Sequence, residues 1–291
     1  MALCIHCVAD PSFLALKKIT PPAETGYCSY CGSEDVQLVR LDGIADPARR
    51  SRLTWARWAA AAKRDSAEVA EYAEMFYDLA ADLKLLSARV SAGTLLFRAR
   101  LGASRLPDGR VRPYEGEEIG APPEGRRKVG RVNPEGKCVL YCADQEATAV
   151  AEVRPARGQF VSVAHAELVE DVLILDLTAT PDRGPLPPGQ AYPWLEILGF
   201  LRAFDAELAT PLERDDDPAE YLPCQRFAQS VESQGLEGLR YRSAMNPGGS
   251  NAVLFDPAAA KVLDSKLVQI TATRVEYEAR SKDLFLPKIA E

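Results

Sequence analysis

The chain has 291 residues, 47% of them hydrophobic, and carries a formal net charge of −7. That is enough apolar material for a sizeable core and suggests more than one domain. An acidic balance is not that of a duplex-binding surface, which concentrates Lys and Arg, so nucleic acid is not expected as a partner. No apolar run approaches bilayer-spanning length, and the opening MALCIHCVADPSF lacks a basic stretch followed by an apolar one.

The first feature along the chain is cysteine spacing. Of the seven cysteines, four form two CxxC pairs, Cys4/Cys7 and Cys28/Cys31, separated by 20 residues. This is not a secreted disulfide framework and points to a reducing cytoplasm. Each pair can turn two thiolates to one side of a tight turn, and two such turns close a tetrahedral zinc site. The expected role of that Zn2+ is structural, because a segment of roughly 40 residues has too little core to stand alone. The competing reading is a set of free thiols or a redox pair. His6 is an alternative ligand, although four cysteines already complete a site. Cys138, Cys142 and Cys224 have no paired spacing and read as small core residues.

Asp46-Pro47 reads as a helix start, with the helix running to about Arg64. Asp65 and Ser66 can cap a second helix carrying Val69, Tyr72, Phe76, Leu79, Leu83 and Leu86 on one face. The first helix, with Leu53, Trp55 and Trp58, is its nearest partner for an αα-hairpin. Arg49, Arg50, Arg52, Arg57, Lys63 and Arg64 leave a nucleic-acid-binding surface as a minor alternative to an ordinary solvated helix side. Ser91-Ala92-Gly93 closes this region.

From Thr94 the pattern changes. TLLFRAR reads as a strand. Residues 102–137, rich in Gly, Pro and charge, read as a long loop. Its Arg105, Arg110, Arg112, Arg126, Arg127 and Lys128 either gather phosphate or simply face water. CVLYCA is a strand, and Asp144 is expected to cap a helix that carries Thr148 and Glu152 and stops before Pro155. FVSVA and VLILDL are strands, 192–208 and Cys224–Gln234 helices, and LEGLRYRS, NAVLF and the stretch around LVQITATRVEYEA further strands. The class is α+β without the regular βαβ alternation of a doubly wound sheet.

Polar residues stand among these apolar elements. Arg98 interrupts LLFRARL, with Phe97 and Ala99 pointing the other way. Arg131 lies between Gly130 and Asn133-Pro134. Tyr141 ends a strand, Glu152 lies on a mostly apolar helix, Ser243 ends LRYRS, and Asn251 opens NAVLF. Each also has a plain reading: a solvated strand or helix face, a core tyrosine, a turn residue. With only His6 and His165 as imidazole bases, Cys/His or Ser/His/Asp chemistry is poorly supplied.

LFRARLG, GRVNPEGKCVLYCADQEATAVAEV and YLPCQRFAQSVESQGLEGLRYRSAMNPGGSNAVLF, in that order, resemble the RES domain, a family with many toxins of bacterial toxin–antitoxin pairs. The likeness covers roughly residues 94–260. The N-terminal part is similar to the HEPN-type extension found before some RES domains. It holds no histidine in 46–90, so an RNase there is not supported. The segments are thus 1–42, a zinc-ribbon-like piece; 43–92, a helical HEPN-like region; and 93–291, the RES catalytic domain. The resemblance implies an ADP-ribosyltransferase-like fold that consumes NAD+, with a protein antitoxin or immunity partner; the lack of a bilayer-length apolar run leads to the expectation of no membrane partner.

The residues that the resemblance carries over are Arg98, Arg131, Tyr141, Glu152, Ser243 and Asn251, with Arg100 competing for the first role. In some members a tyrosine follows the first arginine; here that position is Ala99. In this scheme Glu152 stabilises the oxocarbenium ion formed as the nicotinamide–ribose bond breaks. Arg98 and Arg131 grip the pyrophosphate. Tyr141 offers a ring face to the nicotinamide, and Ser243 and Asn251 fix the ribose or the carboxamide. With water the protein is an NAD+ glycohydrolase, with phosphate a phosphorylase, and with a macromolecular acceptor an ADP-ribosyltransferase. A non-catalytic nucleotide-binding module is the remaining alternative.

Overall fold

The computed structural model describes residues 2–4, 25–26, 34–40, 47–64, 86–123, 129–179, 191–210 and 218–273. Near the N-terminus β1 (Ala2–Cys4), β2 (Thr25–Gly26) and β3 (Val36–Arg40) pair antiparallel in the order β1-β3-β2. Cys4 ends β1, whereas Cys7, Cys28 and Cys31 lie outside the described residues, and with them the zinc site of the sequence reading. Among the described residues, no group of three or more His, Cys, Asp or Glu is placed to hold a metal.

Helix α1 spans Pro47–Arg64, in agreement with the start and stop signals. The second arm of the expected hairpin, residues 65–85, lies outside the described residues. Leu86, assigned to that helix, instead leads into β4 (Ser87–Val90) and is buried. The strands β5 (Leu95–Leu101), β6 (Ser104–Arg105), β7 (Val111–Arg112) and β8 (Leu140–Ala143) follow, then α2 (Glu146–Glu152). Next come β9 (Phe160–Leu168), β10 (Val172–Asp176), α3 (Ala191–Leu208) and α4 (Leu222–Ser233), and finally β11 (Gly238–Arg242), β12 (Ser250–Leu254) and β13 (Ala260–Gln269).

Eight of these strands form one sheet, in the order β13-β9-β5-β8-β12-β11-β10-β4. Only β10 and β11 run parallel; the other neighbours are antiparallel, so the fold is mixed α+β and not doubly wound. Strand alternation divides the core into two. Val139, Leu239, Tyr241, Val253 and Leu175 pack with residues of α1, α3 and α4, whereas Leu140, Cys142, Ala252, Leu254 and Ile174 pack on the opposite face.

The helical layer explains α1. Trp55 meets Phe200 and Phe204 of α3 at ring separations of 5.2 and 5.5 Å. Trp58, 2% exposed, points its indole Nε1–H at the carbonyl of Pro223, 3.4 Å away at the start of α4. Burying side chains of this size contributes about 1.5–3 kcal/mol each, so α1 is held by its aromatic side against α3 and α4. β4 also enters the main sheet, pairing with β10. None of the described helices is long and apolar enough to cross a membrane.

Two local expectations differ. Asp144 does not cap α2: the residue before the helix is Gln145, without a side-chain cap, and Asp144 accepts from the backbone N–H of Ser250 at 3.0 Å. It therefore joins the start of β12 to the end of β8. The 102–137 segment contains the β6–β7 hairpin and a single helical turn at Gly116–Glu118. Arg110 pairs with Asp108 and Arg112 with Glu118, so these two cations are neutralised within the loop. Arg126, Arg127 and Lys128 lie outside the described residues.

Candidate active site

A cleft of about 430 Å³ is lined by Arg98, Arg131, Tyr141, Glu152 and Asn251, among others. The chain brings them in from β5, the segment before β8, β8 itself, the end of α2 and the start of β12.

Glu152 is the last residue of α2, one turn after the buried Thr148 and Ala149, so it lies on the same inward side of that short helix. Its Oε1 accepts two hydrogen bonds, from Ser243 Oγ at 2.6 Å and Asn251 Nδ2 at 2.8 Å. Ser243 Oγ itself accepts from the backbone N–H groups of Met245 and Asn246 at 3.1 and 3.0 Å, which turns its proton toward the carboxylate. Oε2 of Glu152 takes no hydrogen bond from any described residue. Ser243 and Asn251, expected from the sequence at the ribose or carboxamide, both contact Glu152, and Asn251 also lines the cleft itself.

The turn that carries Ser243 is fixed to α2. Asn246 Nδ2 donates to Thr148 Oγ1 at 2.8 Å. A Cβ on Gly249 would come within 2.1 Å of that same oxygen, so only glycine permits this approach.

Tyr141 is held by its hydroxyl, which donates to Asn133 Oδ1 at 2.8 Å and accepts from the backbone N–H of Val132 at 3.3 Å. Burial pushes this phenol well above its ordinary value and keeps it neutral. Asn133 is in turn part of a tight segment, with the Gly130 N–H donating to the Asn133 carbonyl at 3.0 Å. Gln225, buried on α4, donates its Nε2 to the carbonyls of Gly130 and Asn133 at 2.7 and 3.3 Å. A Cβ on Gly130 would stand 2.6 Å from Asn133 Oδ1 and 2.9 Å from the Tyr141 hydroxyl, so this position also needs glycine.

The two arginines differ. Arg98 donates from Nε to the Ile119 carbonyl at 2.5 Å, from Nη1 to that of Tyr141 at 2.7 Å, and from Nη2 to that of Gly120 at 3.0 Å. Its guanidinium thus ties the strand pair to the 119–120 segment and is not a free fork. Burial lowers its pKa, although guanidinium remains charged. Arg131 donates through Nη1 to the carbonyl of Glu207, whose carboxylate lies 3.8 Å away. Its Nε is buried and has no hydrogen-bond partner. A buried unsatisfied donor is uncommon and costs about 1–3 kcal/mol, and the Nε of Arg240, on β11, is in the same state. Arg100, the rival for the first role, does not line this cleft. It lies over the ring of Tyr114 and donates to the Glu118 carbonyl.

Arg154 also lines the cleft, which gives three guanidinium-bearing residues around one carboxylate and favours an anionic ligand. Sequence reasoning missed Asn133 and Gln225 as supports, and the Thr148–Asn246 link. Gln225 stood inside a stretch already singled out, but nothing local distinguishes a glutamine that spans to residue 130 from one that faces water.

A family model described as the RES domain matches residues 103–277. That span includes Arg131, Tyr141, Glu152, Ser243 and Asn251 but not Arg98. No curated protein matches the chain. Among solved structures, the chain is similar to one titled as the crystal structure of the M. tuberculosis MbcT–MbcA toxin–antitoxin complex. The identity is 17%, with 66% of this chain and 92% of that chain covered, at a TM-score of 0.38.

Proposed function

The chain belongs to the RES domain family, and from that premise we propose that it is an NAD+-consuming enzyme that cleaves the nicotinamide–ribose bond. The observation that carries this reading is the half-engaged carboxylate of Glu152: Oε1 is held by Ser243 and Asn251, and Oε2 is left to the cleft that also holds Arg131.

The nicotinamide of NAD+ is a cationic leaving group, so it departs neutral with the bonding pair and needs no general acid. The ribose carbon left behind has oxocarbenium character. In this reading Oε2 of Glu152 stabilises that charge or binds a ribose hydroxyl. Arg131, which lines the cleft, receives a phosphate oxygen. The ring of Tyr141 bounds the nicotinamide end, and its hydroxyl is already engaged by Asn133. Arg98 acts here chiefly by holding the 119–120 segment and β8, with its remaining donors at the cleft. Water as acceptor gives ADP-ribose, nicotinamide and a proton. Inorganic phosphate gives the 1″-phosphate ester in place of ADP-ribose.

In this reading the catalytic unit is the ADP-ribosyltransferase-like body over 93–291. The helical region over 43–92 is built onto it through Trp58 and β4, and a zinc-ribbon-like segment covers 1–42. The reading also assigns a toxin restrained by a protein antitoxin or immunity partner, acting in the cytoplasm. The zinc rests on the spacing of Cys4, Cys7, Cys28 and Cys31 and is checked by elemental analysis. About one zinc per chain, lost together with folding of the N-terminal segment on chelation, is the expected result. Metal-free protein of unchanged stability contradicts it.

The enzyme reading is tested by following nicotinamide release and the ribosyl product by mass spectrometry, with and without phosphate. Glu152→Gln is expected to lower the rate by about 10²–10³-fold while leaving thermal unfolding unchanged. Intact NAD+ under every condition, or an undiminished Glu152→Gln variant, removes the proposal.

A further inference from the structure

The last turn of α3 touches both sides of the cleft. Glu207 gives its main-chain carbonyl to Arg131, and Leu208 and Thr210 line the cavity. Asp205, two residues before Glu207, points to a different side of the helix. Its Oδ1 accepts the main-chain N–H of Arg242 at 3.0 Å, and its Oδ2 accepts from Arg242 Nε at 2.5 Å. Arg242 directly precedes Ser243, a donor to Glu152 Oε1. We propose that Asp205 is a positioning residue for the cleft carboxylate: it fixes the end of β11 and, through Ser243, the orientation of Glu152. The proposal rests on the NAD+ reading above and adds what holds its carboxylate in place.

Asp205 stands among core residues. Phe204 and Leu208 of the same turn are buried, and Asp205 itself is 1% exposed. A carboxylate taken out of water is costly unless its oxygens are hydrogen-bonded, so packing alone does not account for this residue on an otherwise apolar helix.

The sheet supplies the reason. β10 pairs with β11 as far as Asp176 opposite Arg240, and the Leu177 N–H closes on the Arg240 carbonyl at 2.8 Å. Successive N–H groups of a strand point to opposite edges. The Ser243 N–H turns toward β12 and donates to the Gly249 carbonyl at 2.9 Å, so the Arg242 N–H turns toward β10, which has ended at Asp176. Asp205 Oδ1 stands in for the missing strand carbonyl.

Residues 242 and 243 are thus held from both edges, and the Met245 and Asn246 N–H groups close on Ser243 Oγ. That leaves the Ser243 hydroxyl one place from which to reach Glu152. The two bonds of Asp205 are unequal. The Arg242 side chain is 61% exposed, where water replaces a lost partner, whereas its N–H is a main-chain group at a fixed point. Positioning therefore rests on the acceptor at Oδ1.

The test uses the full chain, with nicotinamide release from NAD+ and amide hydrogen exchange followed by NMR. Asp205→Ala is expected to speed exchange at Met245 and Asn246 by about tenfold or more. It is expected to lower kcat about tenfold with KM for NAD+ within about twofold of the parent. Asp205→Asn, whose carbonyl oxygen takes the place of Oδ1, and Arg242→Gln are expected to keep kcat within about threefold. In a Ser243→Ala background Asp205→Ala is expected to add less than about twofold, because both act through one hydroxyl. Effects that multiply, a loss in KM in place of kcat, or a folded Asp205→Asn protein as slow as Ser243→Ala each overturn the proposal; the last decides even where Asp205→Ala does not fold. If the parent leaves NAD+ intact, exchange decides by itself. Faster exchange at Met245 and Asn246 in Asp205→Ala then upholds the anchor and removes the catalytic reading, and unchanged exchange overturns the anchor.

Discussion

Arg98 and Arg131 line the same cleft, yet their surroundings are opposite. Arg98 spends Nε, Nη1 and Nη2 on three main-chain carbonyls and joins segments that the chain separates by more than a strand. Arg131 is anchored at one end by Glu207 and keeps a buried Nε without a partner. One arginine turns three nitrogens into the frame; the other is anchored through Nη1 alone. Two guanidiniums in one cleft therefore do not make a symmetric clamp, and the difference becomes visible only when each donor is followed to its acceptor.

The sharpest way to break this contrast is to remove each arginine in turn. Arg98→Ala leaves three carbonyls short of a donor and is expected to cost about 3 kcal/mol or more in urea unfolding. Arg131→Ala is expected to cost only about 1 kcal/mol in stability while lowering kcat/KM for NAD+ about 100-fold. Equal losses of stability, or an Arg98→Ala protein that is folded and inactive, would make both ligand-binding arginines and dissolve the distinction.

A smaller effect is expected one step behind Arg131. Gln225 fixes the Gly130 and Asn133 carbonyls, so Gln225→Ala should loosen both Arg131 and the Tyr141 hydroxyl clamp. About tenfold lower kcat, with nicotinamide mononucleotide still bound, is the expected outcome. Gln225→Glu, which keeps the shape and loses the donor, should fail to rescue. Rescue by glutamate would show that packing alone matters.

The smallest effect concerns the thiol beside each arginine. Burial pushes Cys142 and Cys224 up to about 12 from 9.0, opposed by Arg98 for the first and by Arg131 and Lys63 for the second. A raised folded-state pKa gives stability that is complete below the unfolded value and lost as pH climbs through the folded one. Melting temperature should therefore hold to about pH 9 and decline toward pH 12, and Cys142→Ala or Cys224→Ala should flatten part of that decline. Profiles of the parent and both variants that coincide would show that neither thiol is linked to alkaline unfolding.

Much of the frame was legible beforehand because its signals are local. Asp46-Pro47 and the run to Arg64 mark α1, and the apolar stretches around Tyr141 and Asn251 mark β8 and β12. Glu152, Ser243 and Asn251 were legible as a set through resemblance, whereas their mutual hydrogen bonds were not, since the partners lie 91 and 99 residues apart. Asp144 shows the limit of local rules: its place before α2 suggests a cap, but the N–H of Ser250, 106 residues on, takes the carboxylate. Leu86 fits a helical stripe by spacing, and the pairing of β4 with β10 overrides that pattern. Arg98 was readable as an arginine on a strand, but not as one satisfied by carbonyls.

Because both donors to Glu152 converge on a single oxygen, the carboxylate has lost its two-fold symmetry. A glutamine at this position has only one orientation that satisfies Ser243 and Asn251: its carbonyl oxygen takes the place of Oε1, and its NH₂ group points into the cavity. The substitution would reverse the polarity presented to a ligand, from acceptor to donor, with every supporting contact kept. An aspartate, one methylene shorter, would keep the charge and break the register.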